Sequence, residues 1–262
     1  MSENTHELHK AAQEGNAMIA RGLLAEDPKL ILQKDLDSRT PLHWACSFEH
    51  VEVVKLLLNP FDIVASGLSG NTGTDESNRQ HKTKKFEFDI DDMTDDSGWT
   101  PLHITASTGN LEIFKLLMAH VPKPDVDSKT CTGQTCLHYA VSKNHYDLVD
   151  YLLKECKANA RVKDKKSQYP LHRAAAIGSL RMCESLIDIG KSALNSKDSY
   201  GFTPMHHAMS EGHGDVAIML VKRGADYKAV NKDDETPFDV GLDDKVKLFF
   251  KKGLQEEGLL NE

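Results

Sequence analysis

The stretch Thr40-Pro41-Leu42-His43-Trp44-Ala45 decides the fold, because it returns along the chain at a nearly constant interval. Four further strong copies begin at positions 100, 135, 169 and 203, and degenerate copies begin at positions 6 and 236. Successive starts are separated by 34, 60, 35, 34, 34 and 33 residues. Five of these six spacings are one period of about 34 residues, and the other is one period with about 26 residues inserted.

Each position of this motif has a physical role at the start of a helix. The threonine is a helix N-cap, whose hydroxyl accepts hydrogen bonds from backbone N–H groups that the helix leaves unpaired. Proline at the first helical position lacks a donor that the helix could not use. About nine residues after the threonine stands a breaker such as Gly109 or Asn144, which suits the left-handed backbone at a helix C-terminus. A second helix follows, with apolar residues at helical spacing, as in residues 51–58.

The period and the Thr-Pro-Leu-His-x-Ala motif together are characteristic of ankyrin repeats. They predict an all-α solenoid with β-hairpin tips, in which about seven ankyrin repeats form a curved stack with a concave binding face. One repeat cannot bury its own apolar face, so its neighbours supply the core, and a hydrophobic share of only 39% agrees with this. We expect a single ankyrin-repeat domain over residues 1–252, with polar outer faces on its terminal repeats, and a C-terminal tail over residues 253–262.

Residues 66–85 carry most of the inserted length. They are polar, contain three glycines and show no helical periodicity, which predicts a mobile surface loop. Loop-closure entropy grows slowly with length, so such an insertion need not break the stack. We therefore expect a tolerated loop rather than a functional element.

Composition and charge exclude several classes of function. The 32 Lys and Arg residues against 40 Asp and Glu residues give a net charge of -8, which argues against nucleic-acid binding through phosphate neutralisation. No stretch approaches the roughly 20 apolar residues of a membrane helix, and the opening residues Met1-Ser2-Glu3-Asn4 lack the features of a secretory signal. The five cysteines contain no Cys-x-x-Cys pair, which favours a reducing compartment. We expect a cytoplasmic and nuclear protein with no nucleic-acid and no membrane partner.

The histidines do not predict a metal site. Six of the thirteen occupy the fourth motif position, one in each of six repeats: His9, His43, His103, His138, His172 and His206. Stacked repeats lie roughly 10 Å apart, whereas zinc ligands all lie within about 2.0–2.3 Å of one ion. We therefore expect a structural role, in which each imidazole bonds to the backbone of a neighbouring tip.

The cysteines do not predict an enzyme either. Four of them lie in helical patterns and indicate small core residues: Cys46, Cys136, Cys156 and Cys183. Cys131 lies in a predicted tip, where a thiol nucleophile would need a base, an orienting group and an oxyanion site that the sequence does not supply. Motifs of serine hydrolases, nucleotide-binding loops and zinc proteases are absent from the sequence. We expect no catalytic residue, no cofactor and no metal, and a thiol enzyme at Cys131 remains the least favoured alternative.

The tips and the exposed sides of the first helices of the repeats are the remaining candidate for function. Tips near the N-terminus are acidic, with Asp35, Asp37, Asp95 and Asp96, whereas those further along are basic, with Lys129, Lys163, Lys165 and Lys166. Aromatic residues such as Trp44, Trp99 and Phe202 lie between them. Exposed aromatic residues with a charged rim are typical of protein–protein hot spots, and opposed charge zones set register and association rate.

Several stretches resemble the gankyrin family, the fungal form in particular, more closely than ankyrin proteins at large. They are residues 33–47, 95–104, 136–140, 170–175 and 211–215. The resemblance covers nearly the whole chain, apart from the insertion and the residues after Gly253. It implies a non-catalytic chaperone for assembly of the proteasome regulatory particle. Such a chaperone grips the C-terminal domain of one AAA ATPase subunit of the base along its concave face, and obstructs premature docking on the core particle.

The resemblance also implies a set of contact residues. They are Asp35, Asp37, Arg39, Trp44, Phe48, Asp95, Asp96, Trp99, Ile104, Tyr139, Lys143, Arg173 and Phe202. A retinoblastoma-binding Leu-x-Cys-x-Glu motif is not carried over, because residues 180–184 read Leu-Arg-Met-Cys-Glu, with the wrong spacing. We expect a monomer when no partner is bound. A generic ankyrin scaffold, or an inhibitor of another protein such as a kinase, stays open as the alternative.

Overall fold

The computed structural model describes residues 7–60 and 88–259, and the 66–85 insertion lies outside them. The chain divides into two compact units, Met1–Asp125 (unit 1) and Val126–Glu262 (unit 2). Within the described residues we find thirteen α-helices and no strand. The predicted succession of helix pairs is therefore confirmed, whereas the predicted β-hairpin tips are turns.

In its described residues, 7–60 and 88–125, unit 1 contains three helix pairs and a 3-10 helix over Pro28–Leu32. In each pair the first helix starts at the repeated motif or at its degenerate copy. First helices pack on first helices and second helices on second helices, so each pair buries the apolar face of the pair before it. The α-helices are α1 (Glu7–Glu14), α2 (Ala17–Glu26), α3 (Pro41–Ser47), α4 (Val51–Leu58), α5 (Pro101–Thr108) and α6 (Leu111–Met118).

Unit 2 repeats the same arrangement with three further pairs and one final helix. Its core is a row of buried leucines, alanines and methionines shared between successive pairs, in agreement with the lean composition. No helix in the described stretches is long and apolar enough to span a membrane. The helices are α7 (Cys136–Ser142), α8 (Tyr146–Lys154), α9 (Pro170–Ala176), α10 (Leu180–Asp188), α11 (Pro204–Ser210), α12 (Gly214–Lys222) and α13 (Asp244–Glu256).

The motif histidine joins the first helix to the next tip in five of the described repeats, as the sequence predicts. In α3 the backbone N–H of Thr40 donates to Nδ1 of His43 at 3.0 Å, which leaves the proton on Nε2. Nε2 then donates to the carbonyl of Trp99 in the following tip at 3.0 Å. The carbonyls of Arg39, Gln168, Phe202 and Glu235 accept from His9, His138, His172 and His206 in the same way. The histidine is thus a helix cap and a link between repeats at once.

The last repeat departs from the pattern, because its first helix is reduced to a turn over residues 237–240. Asp239 stands where the other repeats have histidine. Its carboxylate accepts the hydroxyl of Thr236 at 2.6 Å and the backbone N–H of the same residue at 2.8 Å. An aspartate closes the cap in this way but is too short to reach a following tip.

The C-terminal tail predicted after Gly253 is wrong, because α13 continues to Glu256. Leu254 is buried and packs with Phe250 in unit 2. Gly253 permits this packing, since a Cβ atom at this position would overlap the side chain of Ile218 in α12. The glycine in this helix therefore indicates that α12 and α13 approach closely, and it does not end the helix.

Candidate functional site

Each tip is a closed turn of five residues built around its first side chain. In the tip 35–39, Oδ1 of Asp35 accepts the backbone N–H groups of Asp37 and Arg39 at 3.0 and 2.9 Å. A backbone hydrogen bond of 2.9 Å from Asp35 to the carbonyl of Arg39 completes the turn. The tips that begin at Asp95, Asp164, Asp198 and Asn231 are closed in the same way. The tip side chains therefore stand on a preorganised backbone.

The second carboxylate oxygen of the tip reaches the first helix, at the residue directly after the motif histidine. Oδ2 of Asp35 accepts from the indole Nε1 of Trp44 at 2.7 Å, and Oδ2 of Asp164 accepts from Arg173 at 2.7 Å. The same spacing of nine residues pairs Asp198 with His207 at 3.0 Å. Thr130 and Tyr139 make the equivalent contact through their hydroxyls at 3.1 Å.

These pairs shift the acidity of the tip carboxyls. Burial alone raises the pKa of Asp35, but the hydrogen bonds from Trp44 and from the tip amides outweigh it, and the net pKa lies below the ordinary value. The pKa of Asp198 is lowered for the same reason, with His207 as the side-chain donor against burial. Both carboxylates are therefore ionised at neutral pH and act as fixed acceptors.

The tip 95–99 lacks the pair between the tip carboxylate and the first helix, so the carboxylate of Asp95 has a different partner. The residue nine positions after Asp95 is Ile104, which cannot donate a hydrogen bond and is itself buried, with 5% of its surface exposed. Oδ2 of Asp95 instead faces Nε of Arg39 in the preceding tip at 3.4 Å. The side chain of Asp95 is only 6% exposed in this pair. Asp95 and Ile104 therefore belong to the framework beneath the surface.

Unit 1 brings an aromatic and acidic group of predicted contact residues together. The rings of Trp44 and Phe48 stack with centroids 6.2 Å apart, and the guanidinium of Arg39 lies 5.1 Å from the Trp44 ring. Phe48 is exposed, as are Asp37 and Asp96, whose tips are joined by a backbone hydrogen bond of 3.3 Å. We call this set the unit 1 surface, and it consists of Asp37, Arg39, Trp44, Phe48, Asp96 and the half-buried Trp99.

Unit 2 brings the basic residues together around successive tips. Backbone hydrogen bonds of 3.0, 2.9 and 3.1 Å link one tip to the next, from Lys165 to Thr132, from Ser199 to Lys166 and from Lys232 to Tyr200. Arg173 is half-buried between Asp164 and the hydroxyl of Ser142. Phe202 is half-buried and lies against the rings of His206 and His207. We call this set the unit 2 surface, and it consists of Tyr139, Lys143, Lys163, Lys165, Lys166, Arg173, Tyr200 and Phe202.

Two of the most exposed apolar residues of the tips are not among the residues predicted from the sequence. Leu36, in the tip 35–39, is 97% exposed, and Tyr200, in the tip 198–202, is 63% exposed. Both occupy turn positions whose neighbours are held by the tip carboxylate, so their side chains project from a rigid base. The sequence signal that could have identified both residues is a large apolar or aromatic side chain inside an otherwise polar tip.

Four of the five cysteines follow the predicted division between core and tip, whereas Cys156, predicted as a core residue, is only half-buried. Cys46, Cys136 and Cys183 are buried, and Cys131 is exposed. Burial raises the pKa of the Cys46 and Cys183 thiols to about 12, so both are protonated at neutral pH. Within residues 7–60 and 88–259, no three metal-ligating side chains come together.

Comparison with protein families agrees with the repeat architecture. A family model of ankyrin repeats, which comprises three copies of the repeat, matches residues 3–67, 77–164 and 156–231. Among solved structures, the ankyrin repeat domain of Bcl-3, a member of the IκB protein family, is similar with a TM-score of 0.66 and 24% identity. The match covers 93% of this chain and 97% of that domain. At this level of identity the likeness concerns the fold alone.

Two fungal relatives are similar over nearly their whole length. The probable 26S proteasome regulatory subunit p28 of Saccharomyces cerevisiae is 42% identical over 248 residues, which cover 94% of this chain and 98% of the relative. An ankyrin repeat-containing protein of Schizosaccharomyces pombe is 35% identical over 238 residues, which cover 90% of each chain. These alignments extend across both units.

Proposed function

Because the chain belongs to the gankyrin family of ankyrin-repeat proteins, we propose that it is a non-catalytic chaperone for assembly of the proteasome regulatory particle. In this proposal it binds the C-terminal domain of one AAA ATPase subunit of the base. The observation that carries the proposal is the 42% identity to yeast p28 across 98% of that protein. Similarity over nearly the whole of a proteasome regulatory subunit supports a protein-binding role in the same particle.

The two tip surfaces support a partner with charges of both signs. The unit 1 surface exposes Asp37 and Asp96 beside aromatic rings, whereas the unit 2 surface exposes Lys165 and Lys166. A partner domain that presents basic side chains to the first and acidic side chains to the second meets complementary charge on both. Stacked aromatic residues such as Trp44 and Phe48 supply rigid contact area on the unit 1 surface.

The side chains support a binding role rather than a catalytic one. The buried thiols are protonated, since burial raises the pKa of Cys46 and Cys183 to about 12. The carboxylate that begins a tip is engaged in closing the turn and in pairs such as Asp164–Arg173. We propose that the protein acts in the cytoplasm and nucleus, which are reducing environments.

The proposal is tested by affinity purification from native lysate at low salt, followed by mass spectrometry. We expect base ATPase subunits to be recovered with the wild-type chain and lost with the charge-reversed variant D37K/D96K, which changes two exposed carboxylates of the unit 1 surface. The matched control is E26K/D147K, which changes two exposed carboxylates on second helices. Recovery of a different partner, unaffected by D37K/D96K, would support the generic scaffold instead.

A further inference from the structure

The C-terminal end of unit 2 has an apolar and basic outer face. Terminal repeats of a solenoid need polar outer faces for solubility, and the sequence predicts such a face here. The structure differs, because Leu248 on α13 is 54% exposed and Phe249 beside it is exposed to a similar degree. Leu242 and Phe238, just before the helix, are also exposed. A concentration of exposed apolar side chains with a charged rim marks an interaction site.

An open groove of about 300 Å³ lies beside α13. It lies where the last repeat has the turn over residues 237–240, in the place of the longer first helix of the other repeats, so this flank of α13 stays uncovered. Its apolar lining comes from Tyr227, Phe238, Phe250 and Leu254, and lysines 228 and 251 complete it.

The middle of α13 is basic, although the whole chain has a net charge of -8 and the acidic residues Asp243, Asp244, Glu256 and Glu257 flank this stretch. Residues 245–255 read Lys-Val-Lys-Leu-Phe-Phe-Lys-Lys-Gly-Leu-Gln, with four lysines and no acidic residue. Lys245, Lys251 and Lys252 stand three or four positions from Leu248, and with the single carboxylate of Asp244, four positions before it, they surround it on the helix surface. Within the described stretches, none of these three ammonium groups takes part in an ion pair.

We propose that this cap surface, formed by the groove, Lys245, Leu248, Phe249, Lys251 and Lys252, is a docking site for an acidic segment of another protein that carries large apolar side chains. Charge complementarity selects the occupant: its carboxylates face the lysines, while its apolar side chains fill the groove and cover Leu248. The proposal goes beyond the assembly function, because the cap surface contains none of the residues of the unit 1 and unit 2 surfaces.

Other occupants fit these observations less well. A bilayer needs the full apolar face of an amphipathic helix, but Phe250 and Leu254 of α13 are buried within unit 2. Nucleic acid would match the lysines but not the apolar lining of the groove. A second copy of the chain, paired through the same surface, would place lysine clusters against each other.

The test measures fluorescence anisotropy of a labelled helical peptide mixed with the full chain. In this peptide leucine and phenylalanine recur at every third or fourth position, and glutamate fills the remaining positions. A matched peptide has lysine in place of each glutamate. We expect the glutamate peptide to bind at least about tenfold more tightly than the lysine peptide, and K251E/K252E to reverse this order.

The control variant K165E/K166E changes two adjacent exposed lysines of the unit 2 surface and should leave peptide binding unchanged. It also separates this proposal from the assembly function, since K165E/K166E should impair recovery of proteasome subunits whereas K251E/K252E should not. Circular dichroism spectra establish that each variant is folded. Equal binding of both peptides, or binding insensitive to K251E/K252E, overturns the proposal. Lysine-dependent binding to phosphatidylserine vesicles without peptide binding, or a dimer dispersed by K251E/K252E in sedimentation equilibrium, overturns it in favour of a membrane or a second copy.

Discussion

The indole of Trp44 donates a hydrogen bond of 2.7 Å to Oδ2 of Asp35, nine residues earlier in the same repeat. Asp35 therefore has two tasks, since its other oxygen holds the backbone of the tip. The equivalent pairs Asp164–Arg173 and Asp198–His207 show that this is a repeated device. Residue types as different as tryptophan, arginine and histidine perform it, because each offers a side-chain N–H at a similar reach.

The first prediction concerns this pair. The substitution Trp44→Phe keeps an aromatic side chain, although a smaller one, and removes the donor, so Oδ2 of Asp35 loses its partner in a half-buried position. We expect the free energy of unfolding to fall by roughly 1 kcal/mol, as for other hydrogen bonds to charged groups near a surface. Urea denaturation measures this, and Phe48→Leu, which changes the neighbouring exposed ring without affecting the pair, is the control. Equal stability of wild type and Trp44→Phe would show that water replaces the indole without cost.

Much of the fold could be predicted from the sequence, because the repeated motif encodes its own hydrogen bonds. Where Thr and His stand three residues apart the cap forms, and at Thr203 and His206 the imidazole also reaches the next tip. The last repeat deviates where the histidine is replaced by Asp239, and there the first helix shortens to a turn. That deviation was visible in the sequence, but the length of the remaining helix depends on packing that no local pattern contains.

The candidate site could be predicted less completely. Motif register places Asp95 and Ile104 on the same face as their counterparts in other repeats, but it does not reveal which group pairs with a carboxylate. The exposure of Leu36 and Tyr200 could not be predicted for a different reason. Side chains in a solvent-exposed turn follow no hydrophobic periodicity, so no periodic pattern in the sequence indicates that they are exposed. Exposure and pairing are properties of the assembled tips, and they follow from three-dimensional contacts.

The second prediction is a pH dependence of stability. Burial lowers the pKa of His43, His138 and His172 to about 4, from an ordinary value near 6.5. The unfolded chain therefore binds more protons between these two values, and the free energy of unfolding rises with pH in that window. We expect full stability above about pH 6.5 and a loss on acidification toward pH 4, with a slope of at most about 1.4 kcal/mol per pH unit for each histidine.

Urea midpoints measured between pH 4.5 and pH 7 check this dependence, since the lowered pKa values of Asp35 and Asp198 confine their effect to lower pH. The control is His138→Gln, which removes one titrating imidazole and should reduce the slope while lowering stability at pH 7. A stability that does not change across the window would contradict burial as the cause of the shifted pKa values.

The third prediction compares alanine substitutions at two glycines, Gly190 and Gly22. At Gly190 a Cβ atom would lie 2.7 Å from the carbonyl oxygen of Leu186 and 2.7 Å from Cβ of Ala160, so Gly190→Ala must displace backbone. At Gly22, inside α2, no atom lies within 4 Å of the added carbon. We expect Gly190→Ala to destabilise by roughly 1–3 kcal/mol and Gly22→Ala to stabilise by up to about 1 kcal/mol through helix propensity. Thermal unfolding of the two variants should therefore shift in opposite directions.

The last prediction concerns the exposed apolar residues of the tips. Tyr200 stands on a tip whose backbone is held by Asp198, so it can enter an interface without ordering a flexible loop. If the unit 2 surface binds the ATPase domain, Tyr200→Ala should weaken the complex by more than about 1 kcal/mol and leave the free energy of unfolding within about 0.5 kcal/mol. Met18→Ala is the matched control, because Met18 is equally prominent but lies on a second helix. Titration calorimetry with the purified domain separates the two variants, and equal dissociation constants would remove Tyr200 from the binding surface.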